Sequence, residues 1–462
     1  MKPELLDKAI GNLDDSLLET HNMKPRLPFT KTAGILAGLC AALLITFLIL
    51  PKKQKSEIIA YEMIPAVMPE TKEYRISDEL INNTGIVDQQ MAFYQKAADF
   101  ILADEGKENK VFSPLNLYLT LAELCELTAG TTQKQLLDLL NLKDMEELRR
   151  IHEELWRAAY CENESLTLQL SGSLWLDNGL SCHPEILRKM AETYHFTSAI
   201  EDMGSQKADE DIQNWLNNAT HNLLKDTVDR IHLEDDTAMA LYSAVYYASS
   251  WMQQFRPELT SDAVFHAPDG DMSTPMMHCD DTAVYYKGEH FTAVIKDLSC
   301  TNMLMILPEE GYTPEDILNE EEVQQLMHPV NLADKGDLSF VHLSLPRFSV
   351  SGEVNVKDML KENGITDLFE AGKADFTPLT DDPRGIFVTE IKHAAKVNAD
   401  EEGVVGAAYT AVIAAYGAFS AEEKEVVFDR PFLFALTSPR SILFEGIVNI
   451  PEQGTTPVSQ LP

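Results

Sequence analysis

Residues able to do acid–base or metal chemistry are plentiful in this chain, but their spacing does not assemble a reaction centre. His152-Glu-Glu-Leu-Trp156 starts like a zinc-protease helix, yet Trp156 stands where the second histidine is required. Glu401-Glu402 is one of many acidic pairs and is no sign of acid–base catalysis. Six cysteines, Cys40, Cys125, Cys161, Cys182, Cys279 and Cys300, are scattered without a C-x-x-C pair or a histidine at ligand spacing. They predict free or buried thiols rather than zinc or a disulfide framework. Nucleophile-elbow, Walker and dinucleotide-glycine patterns do not occur. The reading is therefore a non-enzyme without metal or cofactor. The stretch that stands out is Asp400–Ser420, where an acidic start and a glycine lead into small and β-branched residues with no Lys or Arg before Lys424. A core element would carry larger side chains at a fixed period, and a linker more Pro, Ser and charge. The run reads as a strand without a fixed place, the alternative being an ordinary buried hairpin strand.

The rest of the chain must position that stretch. Its 37 Lys+Arg against 74 Asp+Glu give a formal net charge of −37, which repels phosphate backbones and argues against nucleic acid. A hydrophobic share of 45% supports a sizeable core. Residues 1–31 precede an uncharged run, Thr32 to Leu50, long enough to cross a hydrocarbon core as a helix. No small-x-small cleavage site follows it, so the run predicts an uncleaved signal anchor. Flanking lysines and arginines barely decide orientation; the large acidic domain after the anchor favours an extracytoplasmic position for the bulk. Residues 51–87, polar and with Pro65 and Pro69, suit a tether. The globular part runs from 88 to 452, and 453–462 form a C-terminal tail.

Within the globular part the periodicity predicts helices over Asp88–Leu102, from Ser113 as cap with Pro114 in the first turn, from Thr131 or Thr132 to Leu140, and over Met145–Tyr160, Pro184–His195 and Asp209–Leu224. Ser165–Leu176 reads as a strand. From Thr237 continuous and alternating apolar runs, Leu241–Ala248, Asn302–Pro308, Val341–Val350 and Val426–Leu436, predict large sheets with helices to one side, an α+β class.

The order of short motifs then resembles the serpin family. Asn109-Lys-Val-Phe-Ser-Pro114, Ala129-Gly-Thr-Thr132, Asn214-Trp215 with Thr220, Val245-Tyr-Tyr247 with Trp251 and Phe255, Met276-Met277, Met305-Ile-Leu-Pro308, Leu345-Pro-Arg-Phe348, Gly364–Phe369, Ala374-Asp-Phe376, His393, Glu401-Glu-Gly403, Asp429-Arg-Pro-Phe432 and Phe444-Glu-Gly446 all look like its signatures. The resemblance implies about nine helices around three β-sheets and an exposed reactive loop over about 403–426. It also implies a function: the loop is offered to a serine protease, cleaved, and inserted as a central strand while the protease is still acyl-linked. The alternative is a non-inhibitory serpin acting as a binding or chaperone-like protein. In the hinge Glu401, Glu402, Gly403, Val404, Gly406, Ala408 and Thr410, the alternating set from Val404 to Thr410 is small or β-branched, which permits burial. Tyr409 falls on the outward set, and Gly406 has more conformational freedom to lose.

Family spacing places the cut in the window Tyr416, Gly417, Ala418, Phe419, Ser420. Without Arg or Lys there, the window suits elastase-like and chymotrypsin-like proteases rather than trypsin-like ones. The resemblance further implies a sheet-opening polar network of Ser113, Asn116, Ser243, Trp251 and His393. Asn116 and Ser243 stand where the family has serine and asparagine, a reciprocal exchange that predicts that the hydrogen-bond inventory around His393 is kept with its donors moved. The helix after Thr131 has no basic cluster, so no heparin-like cofactor is expected, and a monomer is the expected state.

Overall fold

Ser113 and Pro114 show why helices begin where they do. The Ser113 side chain accepts a hydrogen bond from the Asn116 N–H, and Pro114 occupies the first turn, where its missing N–H costs nothing. The structure is a computed structural model that describes residues 63–68, 84–104, 106–163, 166–330, 335–382, 385–404 and 423–451. Among the described residues are ten α-helices: α1 (Thr84–Leu102), α2 (Pro114–Glu126), α3 (Gly130–Leu139), α4 (Met145–Ala159), α5 (Pro184–Thr193), α6 (Gln206–Ala219), α7 (Lys225–Val228), α8 (Pro314–Ile317), α9 (Glu321–Met327) and α10 (Lys357–Glu362). Several boundaries differ from those the periodicity predicts, α1 starting four residues before Asp88; both ends of α6 differ for local reasons. Ser205 caps α6 by accepting from the Ala208 N–H, so the helix starts before Asp209. It ends at Ala219 because His221 and Asn222 adopt left-handed backbone, φ 49° and 61°, a conformation that closes helices.

The strands are β1 (Met63–Ile64), β2 (Lys110–Phe112), β3 (Cys161–Glu162), β4 (Leu166–Asp177), β5 (Phe196–Glu201), β6 (Met239–Ser250), β7 (Ser261–Ala267), β8 (Gly270–Lys287), β9 (Phe291–Leu298), β10 (Thr301–Pro308), β11 (Asp337–Pro346), β12 (Phe348–Asn355), β13 (Lys392–Ala399), β14 (Gly403–Val404), β15 (Glu423–Val427), β16 (Phe432–Ser438) and β17 (Ser441–Val448). They form an eight-stranded sheet, β1-β5-β4-β6-β14-β13-β12 with β3 on β4, and a nine-stranded sheet, β15-β11-β8-β9-β10-β16-β17-β2 with β7 on β8. The resemblance implies three sheets; the described strands join into two. The reason is β8, which runs unbroken from Gly270 to Lys287 and pairs in turn with β7, β11 and β9.

The core lies between these sheets and α2. Every residue of α2 except Thr120 is buried, as expected of a helix that is apolar on nearly all sides, and it packs on β17 and β6. Part of the predicted tether is docked rather than free: Met63 and Ile64 pair antiparallel with Ala199 and Ser198 of β5. The Val67 N–H then donates to the Ala191 carbonyl of α5 at 3.1 Å. Among the described residues no helix is long and apolar enough to cross a membrane; the apolar run 32–50 lies outside them.

Candidate functional site: the hinge and the sheet it enters

After β13 the chain turns at Asp400 and comes back along it. The Asp400 carboxylate accepts from the N–H groups of Glu402 at 2.9 Å and Gly403 at 3.3 Å, an Asx-type turn. The chain then enters the eight-stranded sheet. Gly403 and Val404 pair with Ser250 and Ser249 of β6 on one side, and Val404 pairs with Ala399 of β13 on the other. Among the described residues β6 and β13 share no ladder of their own, so β14 is what stands between them. A glycine is required here because a Cβ at position 403 would lie 2.2 Å from the Ser249 carbonyl oxygen and 2.8 Å from the Ser250 Cα. Val404 is fully buried.

The base of this hinge is held from two directions. Trp251 donates its indole Nε1–H to the Asp400 carbonyl at 2.8 Å. The backbone N–H groups of Trp251 and Phe255 donate to the carbonyls of Glu402 and Glu401, both at 3.1 Å. The Gln254 amide adds a bond to the Glu402 carbonyl at 3.3 Å. From the other side Arg347, between β11 and β12, grips the Glu401 carboxylate with two nitrogens at 2.7 and 2.5 Å, and the Thr260 hydroxyl donates to it at 2.6 Å. Burial pushes the Glu401 carboxyl up, but the bonds from Arg347 and Thr260 outweigh it and hold it below the ordinary carboxylate range. Glu402 goes the other way, raised by burial and by the charges of Asp400 and Glu401.

Under the sheet a second polar cluster joins α2, β6 and β13. His393 is buried and accepts at Nε2 from the Ser113 backbone N–H at 2.9 Å. Burial pushes its pKa down to about 4, so the ring is neutral. Ser113 donates its hydroxyl to the Leu443 carbonyl at 2.5 Å. Asn116 and Ser243 bond to one another: the Ser243 hydroxyl donates to the Asn116 Oδ1 at 2.6 Å, and the Asn116 amide reaches the Ser243 carbonyl at 3.4 Å. The exchanged pair therefore links α2 to β6 and does not keep an inventory around His393 as expected, because the two side chains satisfy each other; the bond to His393 comes from the Ser113 backbone.

The structure thus brings Glu401, Glu402, Gly403, Val404 and Trp251 into one corner, and Ser113, Asn116, Ser243 and His393 into another. Gly406, Ala408, Thr410, Tyr416, Gly417, Ala418, Phe419 and Ser420 lie outside the described residues. Downstream, the chain rejoins the fold as β15, parallel to β11 in the other sheet. Three contributors escaped the sequence reading: Thr260, Arg347 and Gln254. Arg347 stood within a quoted motif, and its charge between two apolar strand runs was the available signal.

Comparisons with known proteins fit this geometry. Residues 88–451 match the family described as serpin, serine protease inhibitor. Human neuroserpin is 30% identical over 367 residues, covering 76% of this chain and 88% of that protein. Human leukocyte elastase inhibitor is 27% identical over 369 residues, with 76% and 95% covered. The crystal structure of the thermophilic serpin tengpin in its native state superposes with a TM-score of 0.69 at 22% identity, covering 84% of this chain and 97% of that one. With a family match over nearly the whole globular part and a loop that starts between β6 and β13, the chain belongs to the serpin family.

Proposed function

We propose that this serpin is a suicide-substrate inhibitor of elastase-like or chymotrypsin-like serine proteases. The observation that carries the reading is β14: the first two residues of the loop already occupy a place between β6 and β13, strands with no direct ladder among the described residues. A protease serine that attacks a loop carbonyl forms an ester to the N-terminal piece, and the peptide nitrogen leaves with the C-terminal piece. The freed N-terminal piece then extends β14 along β6 and β13 and carries the acylated protease with it. The absence of Lys and Arg from 398 to 422 supports the specificity. So does the kinship with the human leukocyte elastase inhibitor. The apolar run 32–50 further supports a membrane-tethered form with the serpin domain extracytoplasmic, which protease protection in sealed vesicles would test.

The inhibitor reading is tested by incubating the protein with elastase and with chymotrypsin. An SDS-stable complex is expected with at least one, together with a released C-terminal peptide whose mass places the cut between Tyr416 and Ser420. Cleavage by both enzymes with no stable complex sinks the reading.

A further inference from the structure

Lys296, on β9, is a charge where lysines are rarely found. Its side chain has no solvent exposure, and its ammonium donates to the Asp281 carboxylate of β8 at 2.6 Å. The same ammonium lies over two aromatic rings, 5.7 Å from the centroid of Trp251 and 5.1 Å from that of Phe255. Those rings meet edge to face, 5.7 Å apart. They belong to the two residues whose N–H groups hold the carbonyls of Asp400, Glu401 and Glu402. The surrounding backbone ties the same corner together: Trp251 bridges Leu298, and the Met252 N–H donates to the Asp297 carbonyl at 3.0 Å.

An apolar side chain of equal length would fill this space without the cost of desolvating an ammonium. What it would not supply is attraction to both ring faces at once, a force that strengthens in a dry site. We infer that Lys296, anchored by Asp281, is a positioning residue for the hinge: it fixes the Trp251–Phe255 pair so that their N–H donors hold Asp400–Glu402 on the line between β6 and β13. Its effect on inhibition rests on the inhibitor reading proposed above; its effect on the hinge does not. If the donors wander, the first step of insertion slows, and the acylated protease has time to hydrolyse its ester and leave.

The test replaces Lys296→Met together with Asp281→Asn in the full chain, so that no partner charge is left unmatched, and follows amide hydrogen exchange. Trp251 and Phe255 are expected to exchange at least tenfold faster than in the unaltered protein, while Leu304 and Met305 in the middle of β10 keep their rates. Lys296→Arg, which keeps the charge over the rings, is expected to restore slow exchange. Against elastase the double variant is expected to need at least threefold more inhibitor per protease trapped. Unchanged exchange at Trp251 and Phe255, or equal acceleration at all amides, overturns the inference. Should the double variant not fold, Asp281→Asn alone removes the anchor, and unaltered hinge exchange there overturns it equally. If the unaltered protein forms no complex, the inhibitor reading fails, while the exchange rates still decide the role of Lys296.

Discussion

At the scale of single residues, His393 ties the stability of the sheet to pH. Its Nε2 must be unprotonated to accept from the Ser113 N–H, and burial lowers its pKa from 6.5 to about 4. Between those values the unfolded chain binds the proton and the folded chain does not, so stability is full above pH 6.5 and falls as pH drops through the window to about 4. A shift of this size corresponds to about 3 kcal/mol at the acidic end. Denaturant midpoints at pH 7 and pH 4.5 are expected to differ accordingly, and His393→Gln, whose carbonyl can accept without titrating, to narrow that difference. Glu401 acts in the same direction at lower pH: its pKa is lowered, so its contribution is present above the ordinary carboxylate value and fades as pH falls through the folded one. Arg347→Ala would leave the buried carboxylate with the Thr260 hydroxyl and its own backbone N–H. Because Arg347 itself is 42% exposed, solvent screens part of the pair. A loss of about 2 kcal/mol at pH 7 is expected, shrinking on acidification, with Arg347→Lys recovering only part because the two-pronged geometry is gone. Equal midpoints for Arg347→Ala and the unaltered protein at pH 7 would refute the anchor.

At the scale of elements, the argument turns on whether β14 can form. Its pairing depends on backbone approaching backbone at Gly403, where the opposing atoms are the Ser249 carbonyl and the Ser250 Cα rather than a yielding side chain. Gly403→Ala is therefore expected to displace β14, leaving the loop cleavable but slow to insert. The measurable outcome is several-fold more inhibitor consumed per protease trapped, with little change in the unfolding midpoint of the intact protein. Unaltered stoichiometry would show that the close approach is dispensable. Much of this element was legible beforehand: the acidic pair, the glycine, the small alternating residues and Trp251 all sit in short local patterns. The α+β class and the starts of α2 to α5 were equally plain, because caps and apolar periods are local signals. What local patterns do not carry is long-range partnership. Nothing in the spacing around Lys296 foretold that it would lie over Trp251, forty-five positions earlier in the chain, or that Arg347 would reach Glu401. Met63–Ile64 is too short a run to announce a strand, and its place on β5 is decided by the open edge it meets.

At the scale of the molecule, the eight-stranded sheet is incomplete where it matters. β6 and β13 flank a two-residue β14 and share no ladder among the described residues, and the near end of β6, Met239–Ser243, is only half-buried. A loop cut in the window Tyr416–Ser420 would free roughly a dozen residues to extend β14, each gaining about 1 kcal/mol net from its ladder bonds. The total, on the order of 10 kcal/mol, rivals the stability of an ordinary domain. Cleavage by a protease that is not trapped is thus expected to raise the thermal midpoint by roughly 20 °C or more, taking the usual few degrees per kcal/mol for large domains. The net charge of −37 belongs to intact and cleaved protein alike as long as the pieces stay associated, so added salt should move both midpoints together and leave the gap. The same scan on Gly403→Ala separates rate from equilibrium. If the methyl only delays insertion, its cleaved form still reaches a raised midpoint on long incubation; if the methyl blocks it, the midpoint stays low. An unaltered protein whose midpoint does not move on cleavage has a loop that is cut without inserting, and the trapping mechanism falls with it.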